Sequence, residues 1–171
     1  MSSASNMRQA LVTMAIGGFS LLTFSPGAAA ANTLPDAAPV TAKMEALPRN
    51  APAGTSIELA ITMEIAAPYH IYAPGEPPHR SIPMSVTLDL PRGFTLGKDW
   101  SFPAPISTAS GDLIYVGNLV IRCIVKVPRD SAADVLTLKG KVSFQACNEE
   151  ACWPPESLPL STTINLKPAA P

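Results

Sequence analysis

The stretch Thr55-Ser56-Ile57-Glu58-Leu59-Ala60-Ile61-Thr62-Met63-Glu64-Ile65-Ala66 decides the fold. Ile57, Leu59, Ile61, Met63 and Ile65 take every second position, and Glu58, Thr62 and Glu64 fall between them. Successive strand side chains point to opposite faces, so this run predicts a strand with one face in a core and the other in water. Met84–Leu90 repeats the pattern, with Met84, Val86, Leu88 and Leu90 inward and Ser85, Thr87 and Asp89 outward. Leu113–Val127 reads as one long β-branched strand, Val135–Cys147 as another and Leu158–Leu166 as the last. Val40–Leu47, His70–Tyr72 and Phe94–Leu96 are shorter candidates. Turn clusters such as Pro91-Arg92-Gly93 and Pro128-Arg129-Asp130 separate them. No segment keeps a 3.6-residue period over three turns, and the 19 prolines spread along the chain are incompatible with long helices. Roughly seven or eight strands in a domain of this size predict an all-β, immunoglobulin-like β-sandwich, a single domain.

The N-terminus has a different character. One positive charge at Arg8 precedes an apolar run from Ala10 to Phe24, a turn at Ser25-Pro26-Gly27 and the small residues Ala28–Ala31. This is the pattern of a secretory signal peptide, cleaved near Ala30/Ala31. A retained anchor needs about 20 continuous apolar residues, and Thr13, Gly17, Gly18, Ser20 and Thr23 interrupt the run. The expected organisation is a signal peptide at 1–31, a flexible arm at 32–39, the sandwich at 40–166 and a tail at 167–171. The mature chain is expected to be periplasmic, with no stable membrane insertion. Twelve basic and 13 acidic side chains leave no basic surplus, which excludes a strongly basic nucleic-acid binder.

An exported chain is free to form disulfides, and this one has three cysteines, so at most two pair within it. Cys123 shares a phase with Leu119, Ile121, Val125 and Val127, the place of a small core hydrophobe; the alternative is an exposed reactive thiol. Around Cys147, the residues Leu138, Val142, Phe144 and Ala146 share one phase, while Lys139, Lys141, Ser143, Gln145 and Cys147 share the other. Alternation therefore predicts Cys147 on the polar face at a strand end. The small and polar residues Asn148–Ala151 let the chain fold back and bring Cys152 within bridging range, and Pro154-Pro155 stiffens the exit.

Two readings of this pair stand side by side: a redox dithiol, or a structural staple. Closing a six-residue loop stabilises by only about 2 kcal/mol, little for a staple. Against the redox reading, C-x4-C is less specific than C-x-x-C, and Glu149 and Glu150 would raise thiol pKa values. Other classes compete. One is a non-catalytic binding or assembly domain with a structural disulfide. Another is a copper-binding module using Cys147, Cys152 and His70 or His79, whose x8 spacing matches no recognised ligand pattern. Hydrolase and nucleotide-binding signatures are absent. Trp100, Phe102 and Trp153 would serve either as a docking patch or as packing.

Several segments taken in order resemble one family. They are Tyr69-His70-Ile71-Tyr72-Ala73-Pro74, Ile82-Pro83-Met84-Ser85-Val86-Thr87, Leu90-Pro91-Arg92-Gly93-Phe94, Phe102-Pro103-Ala104-Pro105, Tyr115-Val116-Gly117 and Cys147-x4-Cys152-Trp153-Pro154-Pro155. Together, from about Ala38 to Leu166, they resemble the N-terminal periplasmic domain of the thiol:disulfide interchange protein DsbD. The resemblance implies an immunoglobulin-like sandwich that takes electrons from a membrane-embedded domain. It would pass them to periplasmic partners, a disulfide isomerase and thioredoxin-like proteins of cytochrome c maturation among them, with no cofactor. It implies that Cys147 and Cys152 are the active pair and that Cys152 forms the mixed disulfide. His70, Tyr72, Phe102 and Trp153 would surround them, and a cap loop would span about Phe102–Asp112. The chain departs from the pattern in that Pro103–Ser110 carries no carboxylate and no aromatic ring. It also stops at Pro171, short of an electron channel or thioredoxin-like domain, so the expected electron donor is another polypeptide.

Overall fold

The computed structural model describes residues 39–75, 82–131 and 135–169; the expected signal peptide, nearly all of the expected arm, and His79 lie outside the described residues. Twelve strands follow in order: β1 (Val40–Leu47), β2 (Asn50–Pro52), β3 (Ser56–Ile65), β4 (His70–Tyr72), β5 (Ser85–Asp89), β6 (Thr95–Ser101), β7 (Ile106–Ser107), β8 (Leu113–Tyr115), β9 (Gly117–Lys126), β10 (Val135–Phe144), β11 (Ala146–Cys147) and β12 (Glu156–Lys167). They form three four-stranded sheets, ordered β1-β3-β9-β6, β2-β12-β10-β5 and β11-β4-β8-β7. All pairings are antiparallel except β2 with β12.

The first two sheets enclose the core of an immunoglobulin-like β-sandwich. From one sheet come Ile57, Leu59, Ile61 and Met63 of β3 and Leu119, Ile121, Cys123 and Val125 of β9, all buried. Facing them are Leu138, Val142 and Phe144 of β10 and Leu160, Ile164 and Leu166 of β12. In β3, β9 and β10 these are the inward phases read from the sequence, because a half-buried strand must alternate. Trp100 and Phe102 are half-buried against the same core, so both rings pack rather than form an open patch. Cys123 is 2% exposed within it, and burial, with Glu58 adding, pushes its thiol up to about 11. It is the inert core residue that its phase predicts.

Two expected long strands are each broken at one point. Leu113–Val127 divides at Val116 into β8 and β9, and Gly117 adopts φ +63°, the left-handed region. Val135–Cys147 divides at Gln145 into β10 and β11. In each case the longer part stays in a main sheet and the shorter part crosses to the third. The first run supplies β8 and the second β11, so the small sheet is built from the overhanging ends of the large ones. Strands β2 and β7, of three and two residues, carry too little alternation to be read from sequence.

Gly117 tests this account. A Cβ there meets nothing within 4 Å, so a substitution costs backbone conformation and not packing. Gly117→Ala is expected to lower unfolding stability by about 1–2 kcal/mol. Gly117→Asn, which tolerates the left-handed region, is expected to cost less, and urea unfolding of the two variants checks the order.

Candidate functional site

The third sheet carries the chemistry. In β11 paired with β4, Cys147 stands opposite His70 and Ala146 opposite Ile71. In β4 paired with β8, Tyr72 stands opposite Ile114, which itself stands opposite Ile106 of β7. Facing residues of an antiparallel pair lie on the same side of the sheet. One face therefore presents Cys147, His70, Tyr72, Ile114 and Ile106, and the other turns Ala146, Ile71 and Tyr115 into the core. The register alone brings His70, Tyr72 and Cys147 together across 74 residues of intervening sequence or more.

Cys147 and Cys152 are disulfide-bonded, with Cα atoms 4.0 Å apart. Asn148 shapes the connecting turn: its Oδ1 accepts from the Glu150 and Ala151 amides at 2.9 and 2.8 Å, and its own amide donates to the Ala151 carbonyl at 2.9 Å. This Asx-type turn is what a short polar side chain offers at the start of a tight loop. Past Cys152, the Trp153 amide donates to the Ala146 carbonyl at 2.8 Å. The two sulfurs end in unlike surroundings: Cys152 is exposed, and Cys147 is only 1% exposed.

This corrects one expectation. Alternation places Cys147 on the polar phase, and it does lie outside the hydrophobic core cluster. It is nevertheless covered, because the strand has changed sheet and Cys147 is now flanked by His70 on one side and by its bridge to Cys152 on the other. A period-2 reading cannot register cover supplied by a folded-back turn.

Around the pair, His70 and Tyr72 meet edge to face with ring centroids 5.4 Å apart, and His70 Nε2 lies 3.5 Å from the Tyr72 hydroxyl. The ring of Trp153 meets Tyr69 edge to face at 4.9 Å, and its buried Nε1 has no partner among the described residues. Phe102 packs on the core and has no hydrogen bond or ring contact to the disulfide among the described residues. The expected cap segment Phe102–Asp112 proves to be largely β7 and a hydrogen-bonded turn. There Thr108 Oγ1 lies 2.8 Å from Ser110 Oγ, Ser110 Oγ donates to Asp112 Oδ2 at 2.6 Å, and the Asp112 amide donates to Thr108 Oγ1 at 3.0 Å. Pro103 is held by the Tyr115 hydroxyl, which donates to its carbonyl at 2.9 Å.

Burial lowers the pKa of His70 below its ordinary value, and the charge of Asp112 partly opposes that. His70 is therefore predominantly neutral at pH 7. Asp112 lies just past the carboxylate-free run Pro103–Ser110, and no local pattern in the sequence links it to His70. Sequence reasoning also passed over Asn148, although an Asn opening a four-residue loop is a turn signal in its own right. Among the described residues no three His, Cys, Asp or Glu side chains form a metal-binding group. A cavity of ≈ 530 Å³ lined by Pro91, Arg92, Phe94, Pro128, Asp130 and Leu136 opens near the start of β10, whereas Cys147 follows its far end.

Residues 37–163 match the family model described as the thiol:disulfide interchange protein DsbD, N-terminal. Among solved structures, the reduced DsbD N-terminal domain of Neisseria meningitidis is 18% identical, with 66% of this chain and 80% of that one covered and a TM-score of 0.40. The N-terminal periplasmic domain of ScsB from Proteus mirabilis is 16% identical, with 81% of this chain and 51% of that one covered and a TM-score of 0.43. No curated protein matches the chain.

Two measurements follow from the site. Because the folded pKa of His70 is depressed, the unfolded chain binds the proton more readily between that pKa and about 6.5. Stability is thus fully present above that window and falls as pH drops through it. The decline in urea midpoint between pH 7.5 and 5 is expected to be smaller in His70→Gln. Asn148→Ala, which removes both side-chain bonds of the turn, is expected to shift the pair toward the open dithiol by about fivefold in glutathione buffer.

Proposed function

This chain belongs to the family of the DsbD N-terminal domain, and from that premise we propose that it relays electrons through Cys147 and Cys152. On this reading the chain is exported to the periplasm. A membrane-embedded, DsbD-like donor reduces the pair, and the dithiol then reduces periplasmic thioredoxin-like or disulfide-isomerase partners. The observation that carries it is the asymmetry of the bonded pair, with Cys152 open to solvent and Cys147 covered. An exchange protein needs one sulfur that another protein can reach and a second that resolves the product. A staple needs neither difference.

The Cys152 thiolate attacks one sulfur of the partner's disulfide. That S–S bond breaks, the partner's other sulfur leaves as a thiolate and takes up a proton, and a Cys152–partner disulfide forms. Cys147 then loses its proton and attacks the Cys152 sulfur, expelling the partner's second sulfur as a thiolate, which takes up a proton. The Cys147–Cys152 bond closes, and two electrons and two protons have passed to the partner. On this reading neutral His70, the cross-strand neighbour of Cys147, accepts the Cys147 proton. Tyr72 holds the His70 ring, Trp153 braces the exit of the loop against Tyr69, and Phe102 anchors the β7 segment to the core.

The test is the reduction potential of the pair in mature protein carrying Cys123→Ala, read by alkylation and mass spectrometry in graded thiol buffers. Electron relay predicts about −180 to −270 mV, and a value below about −300 mV would make the bond a structural staple. The same sample with Cys147→Ser is expected to trap partners through Cys152.

A further inference from the structure

We propose that Gln145 is a positioning residue of the dithiol, holding Cys152 outward and Cys147 covered; this rests on the exchange reading given above. Gln145 fills the one-residue gap between β10 and β11, where the strand leaves one sheet for another. Its carboxamide ties two segments that the chain does not otherwise join at this point. Nε2 donates to the Trp153 carbonyl at 3.0 Å, and Oε1 accepts from the Ile82 amide at 3.4 Å.

The first tie acts on the residue directly after Cys152. The Trp153 amide already donates to the Ala146 carbonyl, so with Gln145 in place both backbone polar groups of Trp153 are fixed to the strand that carries Cys147. The second tie reaches the wall of the site. Next to Ile82, Pro83 bridges Tyr72, and the Met84 amide donates to the Tyr72 carbonyl at 2.9 Å. Gln145 thereby couples the arm bearing Cys152 to β4, the strand of His70 and Tyr72. An amide suits the position because it presents a donor and an acceptor at once, which no apolar or singly functional side chain does. Without it, the Asn148 turn, the Trp153–Ala146 backbone bond, the Tyr69 contact and the disulfide remain, but the Trp153 carbonyl and the link to β4 are released, and the resulting outward motion of the Cys152 arm uncovers the Cys147 sulfur.

Sulfite reads this directly on the oxidised chain. It attacks one sulfur of the disulfide, leaves an S-sulfonate there and releases the other sulfur as a thiolate, so peptide mapping after an acid quench shows which sulfur was attacked. With Cys123→Ala as background, the adduct is expected predominantly on Cys152. In Gln145→Met, similar in volume and unchanged in charge, the ratio of Cys152 to Cys147 adducts is expected to fall about fivefold, the effect of one lost neutral hydrogen bond. Gln145→Glu keeps an acceptor for the Ile82 amide but removes the donor to Trp153. It is expected to show the same fall and serves if Gln145→Met does not fold. A loss of stability alone would lower the unfolding midpoint and leave the ratio untouched. An unchanged ratio in a folded variant overturns the inference. A ratio near one in the unsubstituted background instead overturns the assignment of Cys152 as the attacked sulfur.

Discussion

The site exists because two strands change sheets. A strand that stayed in one sheet to its end would not set Cys147 opposite His70. Instead the break at Gln145 hands Ala146 and Cys147 to β4, and the break at Val116, made possible by the left-handed backbone of Gly117, supplies β8 on the other side of β4. β4 has only three residues, His70–Tyr72, and two overhanging strand ends hold it in place. Register then does the rest, since antiparallel pairing sets His70 opposite Cys147. A one-residue slip would turn His70 to the core and Ile71 to the sulfur.

The same arrangement gives the two sulfurs different environments without any unusual residue. Cys147 is covered by a histidine and by the turn that follows it, while Cys152 lies on the far side of that turn in solvent. Glu149 and Glu150, which the sequence sets beside the pair, are exposed, so water screens their effect on the thiols. The half-buried His70 is the polar neighbour whose state the fold controls. Burial keeps it neutral, and Asp112 moderates the effect from the end of the β7–β8 turn. These parts belong to a thiol–disulfide exchange domain of the DsbD family.

Much of this was legible in the sequence. The main strands, their inward phases, the buried Cys123 and the Cys147–Cys152 pairing follow from period-2 alternation and from the short polar loop between two cysteines. What escaped is where a strand stops obeying its sheet. Leu113–Val127 and Val135–Cys147 keep their apolar alternation straight through the breaks, because each part alternates against a different partner and the phase need not change. The burial of Cys147, the β7–β8 hairpin, the field of Asp112 on His70 and the two ties of Gln145 all lie beyond those breaks.

The sequence by itself determined which residues face the core and which chemistry is present, because alternation and cysteine spacing are local properties of the chain. The tertiary structure alone decided which sulfur faces water and which side chains surround the other. Those depend on contacts between segments such as 70–72, 82–84 and 145–153, and no local period encodes the distance between strands that meet only after the chain has folded.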